Sequence, residues 1–446
     1  MIKKILIANR GEIAVRIIRA CREMEIETVA VYSEADAKSL HTQLADEALC
    51  IGPSPSVQSY LNMQQIISAT LITGADAIHP GFGFLSENSR FAKLCEECNI
   101  TFIGANSEIL NKLGNKSEAR NTMLAAGVPV IPGTKDPVYD VHHGEKEAER
   151  IGYPVMIKAA LGGGGKGMRT AFSADEFAFA FQTAQKESSM AFGDDTMYIE
   201  HLVEHPRHIE FQILADIKGN IVHLGERDCS IQRNHQKVIE EAPCEAISEK
   251  LRRRMGDTAI RAAKAVHYVS AGTIEFLLDK NDQFYFMEMN TRIQVEHPVT
   301  EMVTGMDLIK EQIKIASGKV LSISQKNINI FGHAIECRIN AESPDKNFRP
   351  SPGTIRTLYL PGGCGIRMDT AIYSGYSVPP YYDSMIAKLI VHGQNRKEAI
   401  AKMISALGEV IVEGIDTNVD YLYQILNESD YQAGRADIEY LNTHLQ

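Results

Sequence analysis

The segment 272–297, GTIEFLLDKNDQFYFMEMNTRIQVEH, constrains the chain more than any other. Residues 274–278 and 284–290 are rich in β-branched and aromatic side chains, and 279–282 between them is turn chemistry, so the segment predicts an antiparallel hairpin centred near Asn281. Such a hairpin sets Glu275 and Glu288 roughly opposite each other. Like charges facing across a strand pair are destabilising. A divalent cation between them removes the conflict, and Mg²⁺ shared with substrate phosphates typically takes one or two carboxylates. The alternation then continues: Glu288, Asn290, Arg292, Gln294 and Glu296 occupy every second position. The other parity carries Met287, Met289, Ile293 and Val295, with Thr291 and His297 as polar exceptions. In an extended chain the first set lines one face and the second buries. The competing reading is the solvated face of an edge strand. Amide, arginine and acids above an apolar underside speak against it.

A second unusual stretch, KAALGGGGKGM at 158–168, places four glycines in a row. Glycine loses more backbone freedom on folding than any other residue, so such a run is kept where backbone must approach something closely or move. It follows a strand-like segment, 153–158, and precedes another, 168–172. A dinucleotide fingerprint needs a helix directly after the loop, and a phosphate-loop lysine needs Ser or Thr after it; here Gly167 follows Lys166. The pattern is a glycine-rich hairpin able to fold over a phosphate chain. Further polar clusters match that chemistry: ERDCSIQRNHQK at 226–237, and Lys116 and Lys158 as additional cations.

The first third alternates strands (5–8, 28–32, 77–79, 101–104) with helical periodicity such as Ile13, Val15, Ile17, Ile18 and Cys21, the signature of a parallel α/β sheet. HPGFGFLSEN, 79–88, sits at one strand's C-terminal end, where such sheets place ligands. Pro/Gly punctuation at 127–133 suggests a hinge before a small α/β unit, and from 204 the chain is richer in strands. The expected division is 1–114, 115–203 and 204–446. The 446 residues exceed one simple core. The net charge of −11 argues against nucleic acid as a partner, since phosphate backbones require a positive surface. No run approaches the roughly 18 apolar residues of a membrane span. Eight cysteines without an export signal make a disulfide framework unexpected, and Cys95-x-x-Cys98 lacks the second pair of a zinc site. The expected compartment is the cytoplasm.

Taken together, ANRGEIAVRIIRA, HPGFGFLSEN, KAALGGGGKGM, ERDCSIQRNHQKVIEEAP, EMNTRIQVEHPVTE, HAIECRINAE and PPYYDSMIAKLI, spanning residue 8 to about 390, resemble the biotin carboxylase family of ATP-grasp enzymes. The resemblance implies an α/β fold, α+β in part: an N-terminal parallel α/β domain, a small lid closing over ATP, and a strand-rich C-terminal domain. It implies that Lys116 and Lys158 contact the ATP phosphates, Gly164 and Gly165 cover them, Glu200, His201 and Val203 hold adenine, and His208 and His235 contact the nucleotide. Glu275, Glu288 and Asn290 match the ligands of Mg²⁺ or Mn²⁺. Arg292, Gln294 and the Val295 backbone match the bicarbonate contacts, with Lys237 near the transferring phosphoryl group, Glu296 as general base and Arg338 at the ureido oxygen of deprotonated biotin. The implied reaction makes carboxyphosphate from bicarbonate and MgATP, then carboxylates biotin.

Some positions depart from the family pattern. His201 stands where Lys is common, Phe82 replaces a Tyr, Leu161 and Lys166 vary the glycine loop, and Cys364 stands where some members carry an aromatic at a dimer contact. No Met-Lys-Met biotin-attachment hairpin occurs, so a separate biotin carboxyl carrier protein, carboxyltransferase subunits and a homodimer are the expected partners. Acetyl-CoA is the default final acceptor; propionyl-CoA, pyruvate and urea systems use similar domains. Two other readings stay open here: an ATP-grasp ligase joining a carboxylate to an amine, and a catalytically silent nucleotide-binding regulator.

Overall fold

A computed structural model describes residues 2–159, 167–192 and 194–444, with the side chains of 116, 117, 191, 192 and 444 excepted. The chain forms two compact units: Met1–Val128 with Arg207–Phe276 and Glu288–Gln446, and Pro129–Pro206 with Leu277–Met287.

The first unit opens with five parallel strands, β1 (Lys4–Ile7), β2 (Glu27–Ser33), β3 (Glu47–Gly52), β4 (Ala77–His79) and β5 (Thr101–Phe102), in the order β3-β2-β1-β4-β5. Ile5, Leu6 and Ile7 are wholly buried, as a central parallel strand covered on both faces requires. At the C-terminal ends of β1 and β4, Asn9 Nδ2 donates to the carbonyls of Pro80 (2.7 Å) and Phe82 (2.8 Å). One amide thus fastens the loop that carries Glu87. Gly81 (φ +62°) is needed there, because a Cβ would lie 2.9 Å from that same Asn9 nitrogen.

In the second unit, β6 (Val155–Ala159) lies between β7 (Met168–Ala171) and β8 (Met197–His201), antiparallel to both. Lys158 faces Met168, so the glycine run does join two paired strands; the loop itself, 160–166, lies outside the described residues. Phe177 and Phe181 from the helix Ala174–Phe192 pack on Val155, Ile157, Met197 and Ile199.

The strand-rich part is an eight-stranded sheet of β9 (Arg207–Ala215), β10 (Ile221–Arg233), β11 (Gln236–Ala242), β12 (Ser270–Leu278), β13 (Phe284–Asn290), β14 (His333–Asn340), β15 (Ile366–Thr370) and β16 (Met385–Gly393). Its order is β13-β12-β9-β10-β11-β14-β16-β15. Leu214, Val222 and Leu224 of β9 and β10 share one core with Ile5, Ile7, Ile13 and Ile17 of the parallel layer. The opposite end is cored by Ile335, Cys337, Leu389 and Val391. Asn234 and His235, both at positive φ, make the tight turn between β10 and β11 and set Lys237 just beyond it on β11, after Gln236 pairs with Arg233. Among the described residues no helix is long and apolar enough to cross a membrane.

Gly272 on β12 sits against the buried ring of Tyr268, and a Cβ there would lie 2.6–2.7 Å from ring and hydroxyl atoms. Gly272→Ala overpacks the strand that delivers Glu275. It should cost about 1–3 kcal/mol of stability in a urea titration.

Candidate active site

β13 ends at Asn290, so the extended run expected to reach Glu296 stops six residues early. Residues 291–296 form a bend and a turn, and the helix His297–Thr304 begins at once. The polar side chains converge nonetheless. Asn290 Nδ2 (2.8 Å) and Gln294 Nε2 (2.9 Å) both donate to Glu275 Oε1. Arg292 Nη2 reaches Asn290 Oδ1 at 3.1 Å. Glu296 ion-pairs with Lys237 Nζ (2.7 Å) through one oxygen and with Arg338 Nη2 (2.9 Å) through the other. The apolar parity holds in Met289 and Ile293, both buried, but not in Met287, which is exposed, while Val295 is half-buried. A turn brings these groups together where an extended strand was expected.

Lys237 is the hub. Its ammonium also contacts Glu210 Oε2 (2.6 Å) and Glu275 Oε1 (3.1 Å). Glu210, on β9, is wholly buried and faces Arg227 of β10 in register. Arg227, equally buried, donates to Glu210, to Gln212 Oε1 (2.8 Å), to Thr300 Oγ1 (2.9 Å) and to Thr273 Oγ1 (3.2 Å). His208 Nε2 lies 2.9 Å from Glu275 Oε2, and Gln232 meets His208 Nδ1 at 2.8 Å. Arg338 bridges Glu296 and Glu240, donating to Glu240 Oε1 from Nε at 2.6 Å.

Burial alone would push the pKa values of these carboxyls up. In Glu296 the opposing field of Lys237, Arg338 and Arg227 wins and holds it well below the usual carboxylate range. Lys237 and His208 do the same for Glu275. At Glu240 burial prevails: Arg338, with a smaller contribution from Lys237, opposes it, the negative Glu296 reinforces it, and the pKa rises to about 7. The field of these carboxylates outweighs burial at Lys237 and keeps it charged.

The remaining expected site residues fall as follows. Glu288 lies on the exposed part of β13, while Glu275 and Asn290 are buried. Among the described residues two sets of acid, imidazole or thiol groups come close enough to share an ion, His208–Glu210–Glu275 and Glu210–Cys229–Glu296, and Glu288 belongs to neither. Carboxylate and amide oxygens of Glu275, Glu288 and Asn290 suit a hard cation such as Mg²⁺ or Mn²⁺. His235 is exposed in its turn. In the second unit Lys158 ion-pairs with Glu200, His201 Nδ1 meets the Gly152 carbonyl at 3.1 Å, and Val203 is half-buried just after β8. Lys116 begins the helix Lys116–Ala125; its side chain, like Gly164 and Gly165, lies outside the described residues.

Several roles were not foreseen, although Arg227 lies within the polar cluster 226–237 and Glu87 within the segment 79–88. Glu210 and Arg227 complete the charge cluster, Glu240 holds Arg338, and Glu87 accepts from Arg292 Nε (2.9 Å) and the Thr291 amide (3.0 Å). The sign of Glu210 was visible: His208, Glu210 and Gln212 share one parity of HIEFQIL, an otherwise apolar strand.

A buried carboxylate–ammonium–guanidinium cluster on a large antiparallel sheet, in a chain that also carries a glycine-hairpin unit, fits an ATP-grasp ligase. Matches with known proteins agree. Residues 1–110 match the model of the biotin carboxylase N-terminal domain, 115–324 that of the carbamoyl-phosphate synthase L chain ATP-binding domain, and 336–443 that of the biotin carboxylase C-terminal domain. Biotin carboxylase 1 of Bacillus subtilis (strain 168) is 57% identical over 100% of this chain and 99% of its own. A pyruvate carboxylase subunit of Methanothermobacter thermautotrophicus is 52% identical over 100% and 90%. The Hydrogenobacter thermophilus 2-oxoglutarate carboxylase biotin carboxylase domain dimer, solved with MgADP, ADP and bicarbonate, superposes with a TM-score of 0.91 at 48% identity, over 100% of this chain and 98% of that one. The chain belongs to the biotin carboxylase family, ATP-dependent ligases that carboxylate biotin.

Arg227→Met removes one of the two cations that hold the buried Glu210 and should cost about 3–5 kcal/mol in chemical denaturation. Glu240 gives a pH test. Its raised folded pKa means that the folded state holds a proton the unfolded state lacks between about pH 4.3 and 7, so its contribution to stability falls as pH rises through that window. Glu240→Gln removes that contribution. Denaturation at about pH 5, 6 and 7 should show the variant losing less stability, or gaining more, than wild type across the window.

Proposed function

We propose that this chain performs the first half-reaction of a biotin-dependent carboxylase, and that the residues above divide the work as follows. A bicarbonate oxygen bonds to the γ-phosphorus of ATP as the bond to the β-phosphate oxygen breaks, giving carboxyphosphate and ADP. The biotin ureido nitrogen, having lost its proton, then bonds to the carboxyl carbon and phosphate leaves. Arg292, Gln294 and the Val295 amide hold bicarbonate, since guanidinium binds planar oxyanions through paired donors. Lys237 neutralises the moving phosphoryl group. Glu296 is the general base, and Arg338 stabilises the negative ureido oxygen. Lys116, Lys158, Gly164, Gly165, Glu200, His201, Val203, His208 and His235 bind ATP. Glu275, Glu288 and Asn290 would hold Mg²⁺ or Mn²⁺, which neutralises phosphate charge when bound.

The observation that carries this reading is Glu296 held between Lys237 and Arg338, one partner on each oxygen. With its cations in place it is ionised but weakly basic. Anionic substrates compete for those same cations, so its proton affinity rises as the site fills. The base is strengthened when there is something to deprotonate.

The same reading includes a homodimer, biotin delivered on a separate carrier protein, carboxyltransferase subunits downstream, a cytoplasmic setting and the division 1–114, 115–203 and 204–446. The dimer is supported by the description of the Hydrogenobacter domain, and separate subunits by the name of the Methanothermobacter relative. Acetyl-CoA is the acceptor proposed; pyruvate is the second, favoured by that relative at 52% identity.

ADP release from MgATP should require bicarbonate and rise with free biotin; release indifferent to both would sink the proposal. Glu296→Gln should abolish biotin carboxylation with nucleotide affinity nearly intact, and a large loss of affinity would remove its assignment as base. Glu288→Ala should weaken Mg-nucleotide binding by calorimetry; a titration like wild type would remove it from the metal site.

A further inference from the structure

Three motifs have no part in the roles above: the start of the helix Gly11–Glu23, the helix start at His297, and β16. They meet behind the turn at 294–296. His297, wholly buried, brings ring Nδ1 to 2.7 Å from the Gln294 carbonyl. A carbonyl only accepts, so Nδ1 carries the hydrogen. Lys388, wholly buried on β16, donates from Nζ to the Val295 carbonyl at 2.7 Å and pairs with Glu12 at 3.2 Å. Asp369 stands opposite Lys388 on the neighbouring strand. Two consecutive carbonyls are therefore each held by a buried side chain.

A trans peptide is planar and its N–H points opposite to its C=O. Fixing the Gln294 carbonyl therefore aims the Val295 amide, and fixing the Val295 carbonyl aims the Glu296 amide, both away from His297 and Lys388. Among the described residues neither amide donates a hydrogen bond to another protein group. Successive outward amides form an anion-binding concavity.

We propose that His297 and Lys388 are positioning residues that aim the Val295 and Glu296 amides together at the bicarbonate oxyanion, with Glu12 as the counter-ion that keeps Lys388 in place. This rests on the assignment of bicarbonate to the Arg292–Gln294–Val295 site. It adds the Glu296 amide as a second backbone donor, and gives the Glu12 and Lys388 segments a share in substrate binding.

The test measures ADP release by the full chain with MgATP and free biotin while bicarbonate is varied. In His297→Asn the side-chain amide nitrogen can take the place of Nδ1, and the bicarbonate KM should stay within about threefold of wild type. His297→Leu removes the donor and should raise that KM about tenfold or more, with MgATP half-saturation unchanged. Lys388→Met combined with Glu12→Gln removes both charges, leaves neither unpaired, and should give the same rise. A double variant with wild-type bicarbonate KM overturns the proposal. So does a His297→Leu effect that falls equally on MgATP, or one that His297→Asn shares. Should the leucine and double variants not fold, ¹⁵N-labelled wild type decides: the Val295 and Glu296 amide resonances should both shift when bicarbonate is added with MgADP, and an unmoved Glu296 resonance overturns the second donor. Wild type that releases ADP without regard to bicarbonate condemns the parent assignment; bicarbonate-dependent wild type with unaffected variants condemns only this proposal.

Discussion

Everything at the centre of this protein depends on one ammonium group. Lys237 reaches three carboxylates from three different elements: Glu210 on β9, Glu275 on β12 and Glu296 at the head of a helix. Without it, three buried negative charges would face each other in a medium that screens them poorly. Arg227 and Arg338 complete the balance, each tied to one of these acids and to further partners. A buried ion cluster of this kind adds little stability compared with an apolar core of the same shape. Its value lies in the arrangement.

That arrangement explains why the acids behave differently although all are buried. Glu296 and Glu275 have two or more cationic neighbours and stay ionised. At Glu240 burial, reinforced by the negative Glu296, outweighs Arg338 and Lys237. Cations alone do not decide: Glu210 touches both Arg227 and Lys237, yet burial and the negative Glu296 and Glu275 raise its pKa. Arg338 on β14 reaches Glu240 on the neighbouring β11, and reaches Glu296 because the chain turns after β13.

The sequence was most legible where periodicity is strong. The parallel layer, the glycine hairpin and the β12–β13 pair all read directly from alternation and turn residues, because local propensity and burial agree there. The site was partly legible. Asn290, Arg292, Gln294 and Glu296 share a parity, and they do converge, although through a turn that periodicity alone did not foresee. A two-residue repeat cannot tell a strand from a bend that keeps the same side chains inward. Glu210 and Arg227 were hidden for another reason. Both stand among other polar residues, Glu210 beside His208 and Gln212 on one parity and Arg227 between Glu226 and Asp228, but their partnership depends on register between β9 and β10. Register is a pairing property, written in no single segment. The same holds for Glu87, whose contact with Arg292 spans 205 residues of sequence.

The buried ammonium of Lys388 has a consequence for descent. It ties a residue near the N-terminus, Glu12, to a turn in the middle of the chain and to a strand near its end. Losing Lys388 alone leaves Glu12 buried without the ammonium it pairs with, whereas losing both together does not. Exchange at these positions therefore passes most easily through coordinated steps, and a lineage that drifts at one should be found altered at the other. Segments that are strangers in the sequence are obliged to evolve as neighbours.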